Sequence, residues 1–114
     1  MEMTEVINYI CNIKNQTNEI SNGKLPTLVE VSSKWSGVSH LMDLITGKIE
    51  LEYNKVLNVV RIDFEEHKEL FNYIGIEKAP AFLIINNGNI TDIIKETVSK
   101  KSLEKIICNL LPGS

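Results

Sequence analysis

The chain has 114 residues, of which 43% are hydrophobic and 24% charged, with a net charge of −3. That size suits a single domain over 1–114 with one core, and the composition excludes a disordered or fibrous chain. The acidic balance, with no Lys/Arg run longer than Lys100-Lys101, argues against nucleic acid as a partner, and no apolar stretch reaches bilayer length, which argues against a membrane.

In chain order, residues 4–14 place Val6, Ile7, Ile10 and Ile13 at helical spacing, predicting a first helix with one apolar face. Acids stand here where a signal peptide needs cations, so a cytoplasmic location is expected. Residues 15–24 are polar and hold Asn22-Gly23, a loop signal. LPTLVEV then reads as a buried strand, with Pro26 confined to its beginning. From Val38 to about Tyr53 the helical period returns, and Val38, Leu41, Met42, Ile45 and Ile49 are expected on one buried side. Gly47 weakens that helix by roughly 1 kcal/mol relative to alanine and marks a place for a kink.

VLNVVRIDF is a β-branched run fit for an interior strand. Residues 65–73 form a short helix, opened by acids and closed by Gly75. AFLII is a strand, Asn87-Gly88 a hairpin turn, and NITDII its antiparallel return. Ser99 or Ser102 caps a last helix bearing Leu103, Ile106, Ile107 and Leu110. The order α-β-α-β-α-β-β-α predicts an α/β fold: a mixed sheet of four to five strands, the central ones parallel through helical connections, the terminal hairpin antiparallel, and helices on both faces.

Cys11 and Cys108 form no metal-spaced cluster and read as small residues on the terminal helices; whether they pair stays open at this point. His67, within FEEHKE, reads as part of a solvated helix face, so no metal or other cofactor is expected.

The segment KWSGVSH, residues 34–40, carries the one motif with chemistry in its outline. Trp35-Ser36-Gly37-Val38-Ser39 follows a strand and opens a helix, and Ala79-Pro80 precedes the hairpin. With Glu30 six residues before Ser36, and with Arg61 and Gly88 in register, these landmarks resemble the thioredoxin family over nearly the whole chain. The resemblance implies a thioredoxin-like fold, with W-S-G-V-S standing where the family has W-C-G-P-C. It implies a cis proline at Pro80 facing the motif, Glu30 at the place of a buried aspartate, and Arg61 at the place of its accompanying lysine. Departures accompany it. Val38 replaces the motif proline, His40 the motif lysine, Leu44 the second-helix proline, and Glu96 the glycine beyond the hairpin.

In such a site a thiolate at a helix N-terminus attacks a disulfide and a second thiol resolves the adduct. Ser36 inherits the place but not the chemistry, because oxygen takes no part in thiol–disulfide exchange. A hydrolytic serine would need a base and an oxyanion hole. Ser36 and His40 are four apart and could meet on a helix, but no third group orients the imidazole, so Ser36 reads as a helix cap and His40 as solvated. Glu30 on an interior strand needs a partner, and Arg61 is the candidate for a buried ion pair. On that reading Glu30→Ala should cost more stability than replacing both residues with apolar ones. Trp35, Ser36, Ala79 and Pro80 would make a ledge for an extended peptide, or serve only as scaffold.

Two functions follow. One is a thioredoxin-like protein without the redox cysteine pair, acting as a non-catalytic module that binds a protein or extended peptide. The other is a thiol–disulfide oxidoreductase of cell redox homeostasis whose active-site cysteines are replaced by Ser36 and Ser39. A purely structural or dimerising domain is a third, less favoured reading.

Overall fold

In a computed structural model, which describes Glu5, Asn8, Ile10 and residues 25–111, the apolar run after Pro26 lies inside a four-stranded sheet. The described elements are β1 (Thr27–Ser32), α1 (Gly37–Tyr53), β2 (Asn58–Asp63), a 3-10 turn (Glu65–His67) leading into α2 (Lys68–Tyr73), β3 (Ala81–Asn86), β4 (Asn89–Ile94) and α3 (Lys100–Cys108). Glu5, Asn8 and Ile10 are helical, and Ile10 is buried. Val6, Ile7, Ile13, Cys11 and the expected loop at Asn22-Gly23 lie outside the described residues.

The sheet order is β2-β1-β3-β4. Side chains alternate across it with the period of two that a pleated strand imposes. Leu28, Phe82 and Ile84 face one side, where they pack with Met42 and Ile49 of α1 and Leu103 and Ile107 of α3. Val29, Val31 and Leu83 face the other, against Ile10 and against Leu70 and Phe71 of α2. Helices therefore cover both faces. Asn87 and Gly88 take positive φ values of 54° and 76°, the pair that a tight hairpin turn requires, so β3 and β4 pair antiparallel.

Strand direction differs in one respect from expectation. β1 and β2 are parallel, but β3 runs antiparallel to β1, so parallel pairing is confined to one pair of strands. The reason is the connection. A six-residue strand is about 20 Å long, whereas a six-residue helix such as α2 advances about 9 Å. The chain between β2 and β3 therefore stays at the end of the sheet where β1 and β2 finish. Ala81 enters beside Val31, the penultimate residue of β1.

α1 also departs from its expected orientation. Met42 and Ile49 are buried as expected, together with Ser39 and Thr46, whereas Val38 and Leu41 are exposed. Residues 39, 42, 46 and 49 form the inward stripe, which places 41 on the opposite side. The helix runs unbroken through Gly47. Gly75 follows α2 at φ +89°, the left-handed position that ends many helices, and Ser99 Oγ accepts the Ser102 N–H to cap α3.

Candidate functional site

The end of β1 turns through Lys34-Trp35 and enters α1 at Ser36, whose extended backbone (φ −112°, ψ 117°) suits an N-cap. Ser36 Oγ accepts the Ser39 N–H at 3.1 Å. Ser39, buried, in turn uses its Oγ to accept the Ser33 N–H at 3.2 Å, tying the helix to the strand end. Ser33 Oγ accepts the Trp35 N–H at 3.2 Å and donates to Glu65 Oε1. Both motif hydroxyls thus serve as acceptors of backbone N–H groups. Ser36→Ala should cost about 1 kcal/mol, read from the urea midpoint, since it orphans the Ser39 donor.

His40 does not turn toward Ser36. Its Nε2 donates to Lys34 O at 3.1 Å, where a carbonyl can only accept, so that nitrogen is no base for a hydroxyl. Cys108 is a free, exposed thiol. Among the described residues no group of three or more His, Cys, Asp or Glu is placed to hold a metal ion.

Facing the helix tip is the Ala79–Pro80 peptide, which is cis. Trp35, Ser36 and Ala79 share an open depression of about 370 Å³, walled further by Glu65 and Lys68. Ser36, Val38, Ala79 and Pro80 share a neighbouring one of about 330 Å³, closed by Lys95 and Glu96. The four residues expected to form a ledge are therefore brought together, and Trp35 stands 86% exposed above it. Ser33 and Glu65 were missed by sequence reasoning, although the Ser32-Ser33 pair at a strand end is a signal for local side-chain-to-backbone bonding.

Glu30 lies beneath α1, fully buried, and neither carboxylate oxygen makes a hydrogen bond of ordinary geometry. Arg61 Nε is 3.4 Å from Glu30 Oε1, but it is 2.8 Å from Asp43 Oδ1, and Arg61 Nη1 is 3.0 Å from Glu50 Oε1. The guanidinium is thus shared among three acids, and the buried one has the longest contact. Burial, reinforced by the nearby Asp43 carboxylate, pushes the Glu30 carboxyl up to about 7, with Thr46 and Arg61 pulling the other way. Removing Glu30 leaves Arg61 with Asp43 and Glu50, whereas removing Arg61 as well deprives those two acids of their cation, so the expectation that Glu30→Ala costs more than replacing both residues is revised.

This arrangement of helix tip, cis peptide and buried carboxyl sits on a chain whose residues 9–109 match the family model for thioredoxin. The chain belongs to the thioredoxin family. It is 27% identical to a thioredoxin of Porphyra purpurea over 89 residues, covering 78% of this chain and 83% of that protein. It is 22% identical to thioredoxin 1 of a Nostoc species, again over 78% of this chain and 83% of the relative. It is 28% identical to the chloroplastic thioredoxin Y2 of Arabidopsis thaliana, covering 81% of this chain and 55% of that protein. Among the described residues of this thioredoxin-family chain, no helix is long and apolar enough to cross a membrane.

Proposed function

We propose that this thioredoxin-like protein is a non-catalytic module that binds a protein or an extended peptide at the ledge of Trp35, Ser36, Ala79 and Pro80. One observation carries the reading: oxygens stand at both positions where exchange needs sulfur, each engaged with a backbone N–H, while Trp35 beside them is left open to solvent. A flat indole next to an irregular backbone segment offers apolar area and main-chain groups at once, the two things an extended peptide uses. A cytoplasmic setting belongs to the same proposal.

An array of unstructured peptides tests it. Peptides retained by the parent chain should be lost by Trp35→Ala, with the variant's circular dichroism unchanged. A folded Trp35→Ala chain that keeps them removes the ledge as the contact surface. The relatives' names favour a second reading, an oxidoreductase in which Ser36 and Ser39 replace a natural cysteine pair. Genomic cysteine codons at 36 and 39, with insulin reduction by the Ser36→Cys/Ser39→Cys chain, would establish that reading instead.

A further inference from the structure

Trp35 is almost wholly exposed, so packing does little to fix the indole of the ledge, and the backbone beneath it depends on hydrogen bonds. Those bonds converge on one residue. Ser33 N–H donates to Ser39 Oγ, Ser33 O accepts the Ser36 N–H at 3.3 Å, and Ser33 Oγ accepts the Trp35 N–H at 3.2 Å. The turn from β1 into α1 is thus hung on Ser33, which is itself buried.

A serine hydroxyl rotates unless its single proton has a fixed acceptor. Here that acceptor is Glu65 Oε1, 32 residues along the chain. With the proton given to a carboxylate, the lone pairs of Ser33 Oγ stay turned toward the Trp35 N–H, and donation to an anion makes that oxygen a better acceptor. Glu65 is held in turn from the side of β2. The Phe64 N–H donates to Ser32 O at 2.8 Å, which prolongs the pairing of β1 and β2 to the residue before Glu65. The Glu65 N–H donates to Asp63 Oδ1 at 2.8 Å, at the start of the 3-10 turn. Lys68, 3.8 Å from Glu65 Oε2 and mostly exposed, adds little.

We infer that Glu65 is a positioning residue: acting through the Ser33 hydroxyl, it holds the Trp35 turn in the conformation that presents the ledge. The inference rests on the binding role proposed above and adds to it a residue from a separate element, whose side chain need not touch the peptide. The end of β2 and the ledge then act as one unit. Loss of the Glu65 carboxyl frees the Ser33 hydroxyl to turn away and leaves the Trp35 N–H without a fixed acceptor.

Trp35 is the only tryptophan in the chain, so its fluorescence reports on this turn alone. In time-resolved anisotropy, Glu65→Ala should about double the subnanosecond, local part of the depolarisation, and Ser33→Ala should do the same. Glu65→Gln, which keeps an oxygen for the hydroxyl, should retain the parent decay. Glu66→Ala, which removes the neighbouring exposed acid, should leave the decay unchanged. Peptides that bind at the ledge should bind Glu65→Ala about fivefold more weakly, and the double variant Ser33→Ala/Glu65→Ala no more weakly than either single one. Circular dichroism checks each fold, and Ser33→Ala carries the same test if Glu65→Ala does not fold. The inference is overturned if the indole moves no more in the alanine variants than in the parent, or if Glu65→Gln behaves like Glu65→Ala. It is also overturned if the two losses add, since additivity means that Glu65 meets the peptide by itself. Should the parent bind no peptide, the ledge reading fails, and the anisotropy decays still decide whether Glu65 holds the turn.

Discussion

Glu30→Gln should stabilise the chain by about 3 kcal/mol near pH 8 and change it little near pH 4. The carboxyl is fully buried and its folded value lies at about 7, raised from an ordinary 4.5. Because the folded value is raised, the folded state holds its proton more tightly than the unfolded chain does. Between those two values stability falls as pH rises, and the loss levels off above the higher one. Glutamine imitates the protonated form at every pH, so the parent should converge on the variant in acid and fall below it in mild base. Arg61 keeps Asp43 and Glu50 in the variant, so no stranded cation offsets the gain. Urea denaturation across this range provides the measurement. Parallel curves for parent and variant would mean that Glu30 gives up its proton as easily in the fold as outside it.

Phe71→Ala should cost about 4 kcal/mol. Phe71 is fully buried, and its ring stacks on Phe64 with centroids 6.0 Å apart. α2 is too short to hold itself, since a single six-residue helix contains few internal bonds for the entropy it gives up. What fixes it is this ring pair, together with Leu70, on the sheet face shared with Val29 and Val31. The Ile76 N–H donates to Phe71 O at 2.8 Å, so the same residue also anchors the strand of chain that leads to Ala79–Pro80. Faster hydrogen exchange at Ile76 should accompany the lost stability. A cost under about 2 kcal/mol would show that the surrounding side chains close the cavity without the ring.

Much of this architecture was legible because local chemistry dictated it. Asn87-Gly88 announced a hairpin and the apolar run after Pro26 a buried strand, and of the two serines read as caps for the last helix, Ser99 takes the place. The spacing of Trp35, Pro80, Glu30 and Arg61 made the helix tip and its neighbours readable as one region. The direction of β3 against β1 was not legible, because it depends on how far a short connection travels. The burial of Val38 and Leu41 was misjudged because periodicity finds an apolar stripe without saying which of two opposed stripes the core takes. Arg61 was readable as a cation near Glu30, but Asp43 and Glu50 reach it from a neighbouring helix, and no local pattern reports such a meeting.

The Ser39 hydroxyl has a consequence for any variant that carries a thiol at this position. It closes the seam between the end of β1 and the first turn of α1, an office for which sulfur, a weaker acceptor, is poorly suited. Placing a thiol there would trade architectural cohesion for reactivity. At this seam oxygen is masonry, where sulfur would be a tool.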